Sequence, residues 1–160
     1  MQNARRDWLA LVGFFVASFA AAAAGSVATA AAVQEWYPLL HKPAWNPPAW
    51  LFGPVWTLLY ALMSIAAWRI WRQEGKPGAR QALALFFVQL GLNALWSVLF
   101  FGLRAPGLAL VEILVLWSCL AWLQCAFWRI DRAAGWLWLP YLLWVSFATV
   151  LNATLWWLNR

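Results

Sequence analysis

Charged side chains divide this 160-residue chain into five long runs, and their spacing limits the fold more than any motif does. Asp7 and Glu35 are separated by 27 uncharged residues, Lys42 and Arg69 by 26, and Arg80 and Arg104 by 23. A further 24 residues run from Ala105 to Trp128 with Glu112 as their single charge, and 27 run from Ala133 to Asn159. A helix needs about 20 apolar residues to cross the hydrocarbon core of a bilayer, so every run is long enough. Composition agrees: 66% of residues are hydrophobic and only 10% charged, against about 25% charged in a soluble domain. The expected fold is all-α, an integral membrane bundle of five transmembrane helices in one domain. Its approximate spans are 8–33, 54–71, 81–103, 106–128 and 134–158, with a Trp/Pro-rich loop between the first two. The second helix is expected to begin near Pro54 and Val55, because proline is welcome in a first helical turn. No internal repeat and no separating linker is visible.

The net charge of +6 does not indicate nucleic-acid binding, because the basic residues flank the apolar runs instead of forming a stripe. They fix orientation. With five crossings, Arg5, Arg6, Arg69, Arg72, Lys76, Arg80, Arg129 and Arg132 share one side, against Lys42, Arg104 and Arg160 on the other. The positive-inside rule then puts the N-terminus in the cytoplasm, for a protein on a bacterial plasma-membrane route. Arg5-Arg6 followed by an apolar run and the small-residue tract from Ala20 to Ala32 also resembles a cleaved secretory signal. That run exceeds the ~7–15-residue apolar core of a signal peptide, which favours a retained helix. Within the tract, Ala21, Gly25 and Thr29, and Ala22, Ser26 and Ala30, recur at four-residue spacing, which lets helix backbones approach closely in lipid. Bundle packing is the plain reading; a dimer seam or a ligand wall is the sharper one.

The connector into the second span, WYPLLHKPAWNPPAWLFGPVW, is the most unusual segment. Proline removes a backbone donor and disfavours helix in the residue before it. Tryptophan joins a broad apolar face to one N–H donor, which suits membrane interfaces and flat ligands. The segment reads as a stiff aromatic lid.

Several stripes could carry binding. Gln89, Asn93, Trp96, Ser97 and Phe100 share one face of the third span. An amide in hydrocarbon wants a partner, so this face should look into the bundle. For Asn93, interhelical glue and ligand contact stand level; for Gln89, glue is favoured. Trp56, Tyr60, Met63 and Ala67 align on the second span, and Trp144, Ala148, Leu151 and Asn152 on the fifth. Together these stripes could line a flat apolar cavity with few polar groups. Glu112 is the one acid far from a loop, and an intramembrane acid is a functional candidate by default. Its plain alternative is Arg104, eight residues earlier, snorkelling toward it. His41 is the single histidine, which excludes a site with several imidazole ligands. Cys119 and Cys125 point to different helix faces, so no disulfide or zinc site is expected. Hydrolytic or phosphoryl chemistry has no candidate residues.

The segments WYPLLHKPAWNPPAW with WTLLYALMS, QLGLNALWSVLFFGLR and PYLLWVSFATVLN together resemble the tryptophan-rich sensory protein / translocator protein family (TspO/MBR, the peripheral-type benzodiazepine receptors) over almost the whole chain. The resemblance implies a five-helix bundle, commonly a homodimer, with a cavity near the lid that takes porphyrins and related tetrapyrroles. Carried over by position, the ligand contacts are Trp56, Asn93, Trp144, Ala148 and Leu151, capped by Trp36, Tyr37, Trp45, Pro47 and Pro48; Tyr60, from the second-span stripe, joins them as a candidate contact. Protoporphyrin IX or haem would be the ligand, held by packing, with no cofactor and no metal required. Some bacterial relatives are credited with light- and oxygen-dependent porphyrin breakdown, in which Trp56 and Trp144 would take part; binding without catalysis is the favoured expectation. Lys42 or a loop N–H would meet propionates near the interface. Proton-coupled export of apolar compounds, through Glu112, is a further alternative. Animal members follow ATxLN with a tyrosine and then an arginine, where this chain has Ala153 and Trp157. That departure weighs against sterol as the ligand.

Overall fold

The computed structural model describes residues 2–160, with side chains from Ala4 onward. The chain forms five helices: α1 Gln2–Glu35, α2 Ala49–Trp71, α3 Ala79–Ser97, α4 Pro106–Ile130 and α5 Arg132–Leu158. There is no strand among the described residues. Each helix is long and apolar enough to cross a membrane, and the chain is a multi-pass membrane protein. The helices close into a ring in the order α1–α2–α5–α4–α3, with α2 also touching α3 across the middle.

The boundaries differ from the sequence reading where backbone chemistry is special. Helix α2 starts at Ala49, not near Pro54, with Pro48 as its extended N-cap residue (φ −63°, ψ 144°). Pro54 lies inside the helix but close to its start, so the lost N–H frees only the Trp50 carbonyl near the helix mouth. Helix α3 ends not in α-helix but in a π-helical turn, Val98–Gly102, whose Leu103 N–H donates to the Val98 carbonyl at 2.8 Å. Arg104 then adopts a left-handed backbone (φ 52°) that ends the segment before Pro106 opens α4.

Two apolar clusters hold the ring. The larger fills the half nearest the basic loops with Met63, Phe86, Leu120, Leu123, Phe127, Trp138 and Tyr141, all completely buried. The smaller, at the lid end, gathers Phe100, Ala109, Leu151 and Leu155. Close approach of α1 to α3 depends on Gly25, where a Cβ would stand 3.0 Å from Ser97 Oγ. At the basic end, the Arg69 guanidinium grips Asp131 with two bonds, of 2.8 and 3.3 Å. Asp131 also caps α5 by accepting from the Ala133 N–H at 2.9 Å. Partial burial pushes the Asp131 carboxyl up, but the Arg69 bond and charge and the Ala133 and Ala134 amides outweigh it and hold it below the usual carboxylate value.

Candidate functional site

Toward the lid end the helices part around a cavity of about 770 Å³, within the range of small-molecule sites. Four helices wall it. Trp56 and Tyr60 come from α2, Asn93 and Trp96 from α3, Trp144, Ala148 and Leu151 from α5, and a face of small residues from α1. No Lys, Arg, Asp, Glu or His stands among the lining residues.

The indole rings converge from separate helices. Trp56 lies 5.6 Å from the Tyr60 ring and edge-on to Tyr141 at 6.1 Å. Trp144 meets Phe52 edge-on at 6.0 Å. Both rings are half-buried, as aromatic walls of an accessible hollow must be. The floor is polar and tightly bonded. Tyr60 donates its hydroxyl to Asn93 Oδ1 (2.5 Å), Asn93 Nδ2 donates to the Tyr141 hydroxyl (2.9 Å), and that hydroxyl donates to Gln89 Oε1 (2.9 Å). Asn93 therefore joins three helices, the glue role, and it also borders the cavity. Gln89 is fully buried, bonded and absent from the wall, which is the glue role. A second tie runs from the Trp96 indole N–H to Asn152 Oδ1 (3.0 Å), and from Asn152 Nδ2 to the Pro106 carbonyl (2.8 Å). Hydroxyls on the wall face it as acceptors, because Ser26, Thr29 and Thr57 each donate to the carbonyl one turn back.

The lid covers the cavity differently from the sequence expectation. Tyr37 lines it, and its hydroxyl donates to Asn46 Oδ1 at 2.8 Å. Trp36, Trp45, Pro47 and Pro48 do not. Trp36 packs edge-on to buried Phe100 (5.8 Å) and Trp45 edge-on to half-buried Phe147 (5.8 Å), so each indole covers another ring instead of the cavity. Pro47 accepts a bond from Asn46 and Pro48 caps α2, which commits them to shaping the loop. Asn159 latches the lid: its Oδ1 accepts from the His41 N–H and its Nδ2 donates to the His41 carbonyl. Lys42 spends its ammonium on the Pro38 and Leu40 carbonyls, both at 2.9 Å. The Arg104–Glu112 contact is not formed. Arg104, outside α4 in its left-handed turn, faces Glu35 at 3.5 Å. Glu112 is buried with neither carboxylate oxygen partnered among the described residues.

The TspO/MBR family model matches residues 14–158. The chain belongs to the TspO/MBR family. It is 42% identical over 146 residues to a tryptophan-rich sensory protein of Cereibacter sphaeroides, covering 91% of this chain and 89% of that one. It is 44% identical over 151 residues to a tryptophan-rich protein TspO of Archaeoglobus fulgidus, covering 94% and 97%. The Homo sapiens translocator protein is 36% identical over 151 residues, covering 93% and 89%.

In this TspO/MBR protein α1 and the π turn complete the cavity wall. The four-residue spacing of Ala22, Ser26 and Ala30 allowed a ligand wall, and all three line the cavity. Phe100, already on the third-span stripe, lines the cavity too, whereas Phe52 and Phe101 carry no comparable signal; the wider π turn brings Phe100 and Phe101, adjacent in sequence, to the same wall.

Proposed function

We propose that this TspO/MBR protein is a membrane receptor and carrier for flat apolar ligands, tetrapyrroles foremost, held in the tryptophan-walled cavity. The observation that carries the reading is the meeting of Trp56 and Trp144, from α2 and α5, on one uncharged hollow of about 770 Å³. Indole faces stack on a macrocycle, and an apolar wall with few polar groups recognises shape over charge. The names of its relatives, sensory protein and translocator protein, support a receptor or carrier over an enzyme. The basic loops are proposed to face the cytoplasm, and the chain to work as a homodimer. Titration of reconstituted protein with protoporphyrin IX, followed by tryptophan quenching, tests the reading. Trp144→Phe and Trp56→Phe should each weaken binding several-fold. Unchanged affinity in both would remove these residues from the site.

The second reading, photo-oxidative porphyrin breakdown, is favoured only by that same pair of redox-capable rings. Under illumination with excess porphyrin, several product molecules per protein would establish catalysis. The exporter reading has less support, because Glu112 is not part of the cavity wall.

A further inference from the structure

The seam between α1 and α2 closes at one end and not at the other. At the basic end, Ser64 is fully buried and donates to the Phe14 carbonyl at 3.4 Å. The Trp68 indole N–H reaches the Asp7 carbonyl at 3.1 Å. Phe19 and Tyr60 also meet across the seam, with rings 6.0 Å apart. Thr57 and Gly53 lie seven and eleven residues before Ser64, on the same face of α2, so they too are directed at α1. Both are nevertheless exposed, and both line the cavity. A Cβ at Gly53 would meet nothing within 4 Å. Across from them α1 offers Ala23, Ser26 and Ala30, also exposed and also lining the cavity. Small side chains therefore face this part of the seam from α1, and Gly53 offers none at all from α2.

We infer that the α1–α2 seam is a lateral slot through which ligand passes between the cavity and the acyl chains of the lid-side leaflet. Between Ala49 and Thr57 the slot extends about 12 Å along α2, at 1.5 Å per residue. Its edges belong to membrane-spanning helices, so what it opens onto is lipid. The lid is tied by the Asn159–His41 pair and the Tyr37–Asn46 bond, and an opening through it would have to break them. The slot breaks nothing. The chemistry it admits is that of a bilayer-dissolved, flat, largely uncharged molecule, since no ionic group waits on the wall to pair a charge. A carboxylate-bearing ligand would trail its acids toward the interface.

The inference rests on the cavity reading above, and two measurements separate their failures. Spin labels at Thr57→Cys and Gly53→Cys, in a Cys119→Ala/Cys125→Ser background, report the opening without any ligand. In proteoliposomes they should be relaxed by oxygen as strongly as a label at lipid-facing Leu58→Cys, and weakly by a water-soluble nickel chelate. Dominant relaxation by the nickel chelate, or by neither reagent, overturns the slot. The second measurement follows quenching by protoporphyrin IX after it has partitioned into the proteoliposome bilayer. Thr57→Trp and Gly53→Leu, which fill the slot, should slow quenching at least tenfold; Leu58→Trp should leave the rate unchanged. Wild-type rates in both filled variants overturn the route. If wild type shows no saturable quenching, the tetrapyrrole reading fails and the spin-label result alone decides the slot.

Discussion

Tyr141→Phe isolates the polar floor of the cavity. Tyr141 is completely buried in α5, and its ring packs edge-on to Trp138 at 5.4 Å and to Trp56 at 6.1 Å. Phenylalanine keeps that ring and deletes only the hydroxyl, so packing is nearly conserved. Two interhelical bonds vanish: the one received from Asn93 Nδ2 and the one donated to Gln89 Oε1. Interhelical bonds in membranes average about 0.6 kcal/mol each, which gives about 1.2 kcal/mol for the pair. The Gln89 carbonyl is then left buried without its donor, and an orphaned buried group costs about 1–3 kcal/mol. The second figure already contains the lost Gln89 bond, so the two are not summed and the expected destabilisation is about 1–3 kcal/mol, read from unfolding of the reconstituted protein in mixed micelles with sodium dodecyl sulfate. Because Tyr141 does not line the cavity, porphyrin affinity should move less than about threefold, a shift worth less than ~0.7 kcal/mol. A cycle with Asn93→Leu should show coupling of about 0.5 kcal/mol or more, since the two side chains share a bond. A cost below ~0.3 kcal/mol without coupling to Asn93 would refute the argument that these residues form one connected network.

Three further outcomes follow from named contacts. Gly25→Ala should destabilise the bundle and weaken porphyrin binding, because its Cβ would stand 3.0 Å from Ser97 Oγ; Ser97→Ala in the same chain should largely restore both, by thermal unfolding and titration. Asp131→Asn should keep the α5 cap yet lose the Arg69 ion pair, a loss of about 1 kcal/mol or less given that Arg69 is partly exposed. The folded carboxyl sits below its unfolded value, so its contribution is present above the unfolded value of about 3.9 and fades as pH falls through the folded one. Wild type and variant should differ in thermal stability at pH 7 and converge in strong acid; a gap that widens in acid contradicts the sign. Asn159→Ala removes the latch on His41 and should raise hydrogen exchange in the lid, residues 36–48, while global stability moves by about 1 kcal/mol or less; unchanged exchange would mean the proline-rich loop holds itself.

Helix number was readable because a bilayer imposes a minimum length, and charge spacing reports it directly. What failed to read through were the places where backbone geometry departs from the regular helix. Pro54 marks the fifth residue after Ala49 and not the start of α2, because a proline near a helix mouth releases only one outer carbonyl. The π turn at Val98–Gly102 has no sequence mark, since which turn widens depends on how α3 meets α1 and α4. The same turn and the left-handed Arg104 swing that guanidinium to Glu35, where helical counting had aimed it at Glu112. Stripes did better than the lid. Trp56, Tyr60, Asn93, Trp144, Ala148 and Leu151 sit on regular helices, so periodicity places them together on the cavity. Trp36 and Trp45 sit in irregular chain, where composition names an aromatic residue without saying which surface it covers.

The hollow itself needs a physical cause. Lipid tails are as apolar as leucine, so no hydrophobic force presses these helices together, and packing and interhelical bonds decide where they touch. Contacts between large side chains and the bonded pairs cluster at two levels, the Phe86–Trp138–Phe127 layer and the Trp96–Asn152–Pro106 tie. Between those levels α1 contributes mainly alanine, glycine, serine and threonine, which supply too little volume to fill the ring. The Tyr60–Asn93–Tyr141–Gln89 chain keeps α2, α3 and α5 at a fixed separation there. Collapse would have to break those buried bonds to regain the dispersion contacts that a void forfeits. A flat ligand regains the contacts with the bonds intact. On the proposed function, affinity comes chiefly from filling space between rings already in position, so a substitution that merely shortens the α1 wall should weaken binding less than one that removes an indole face.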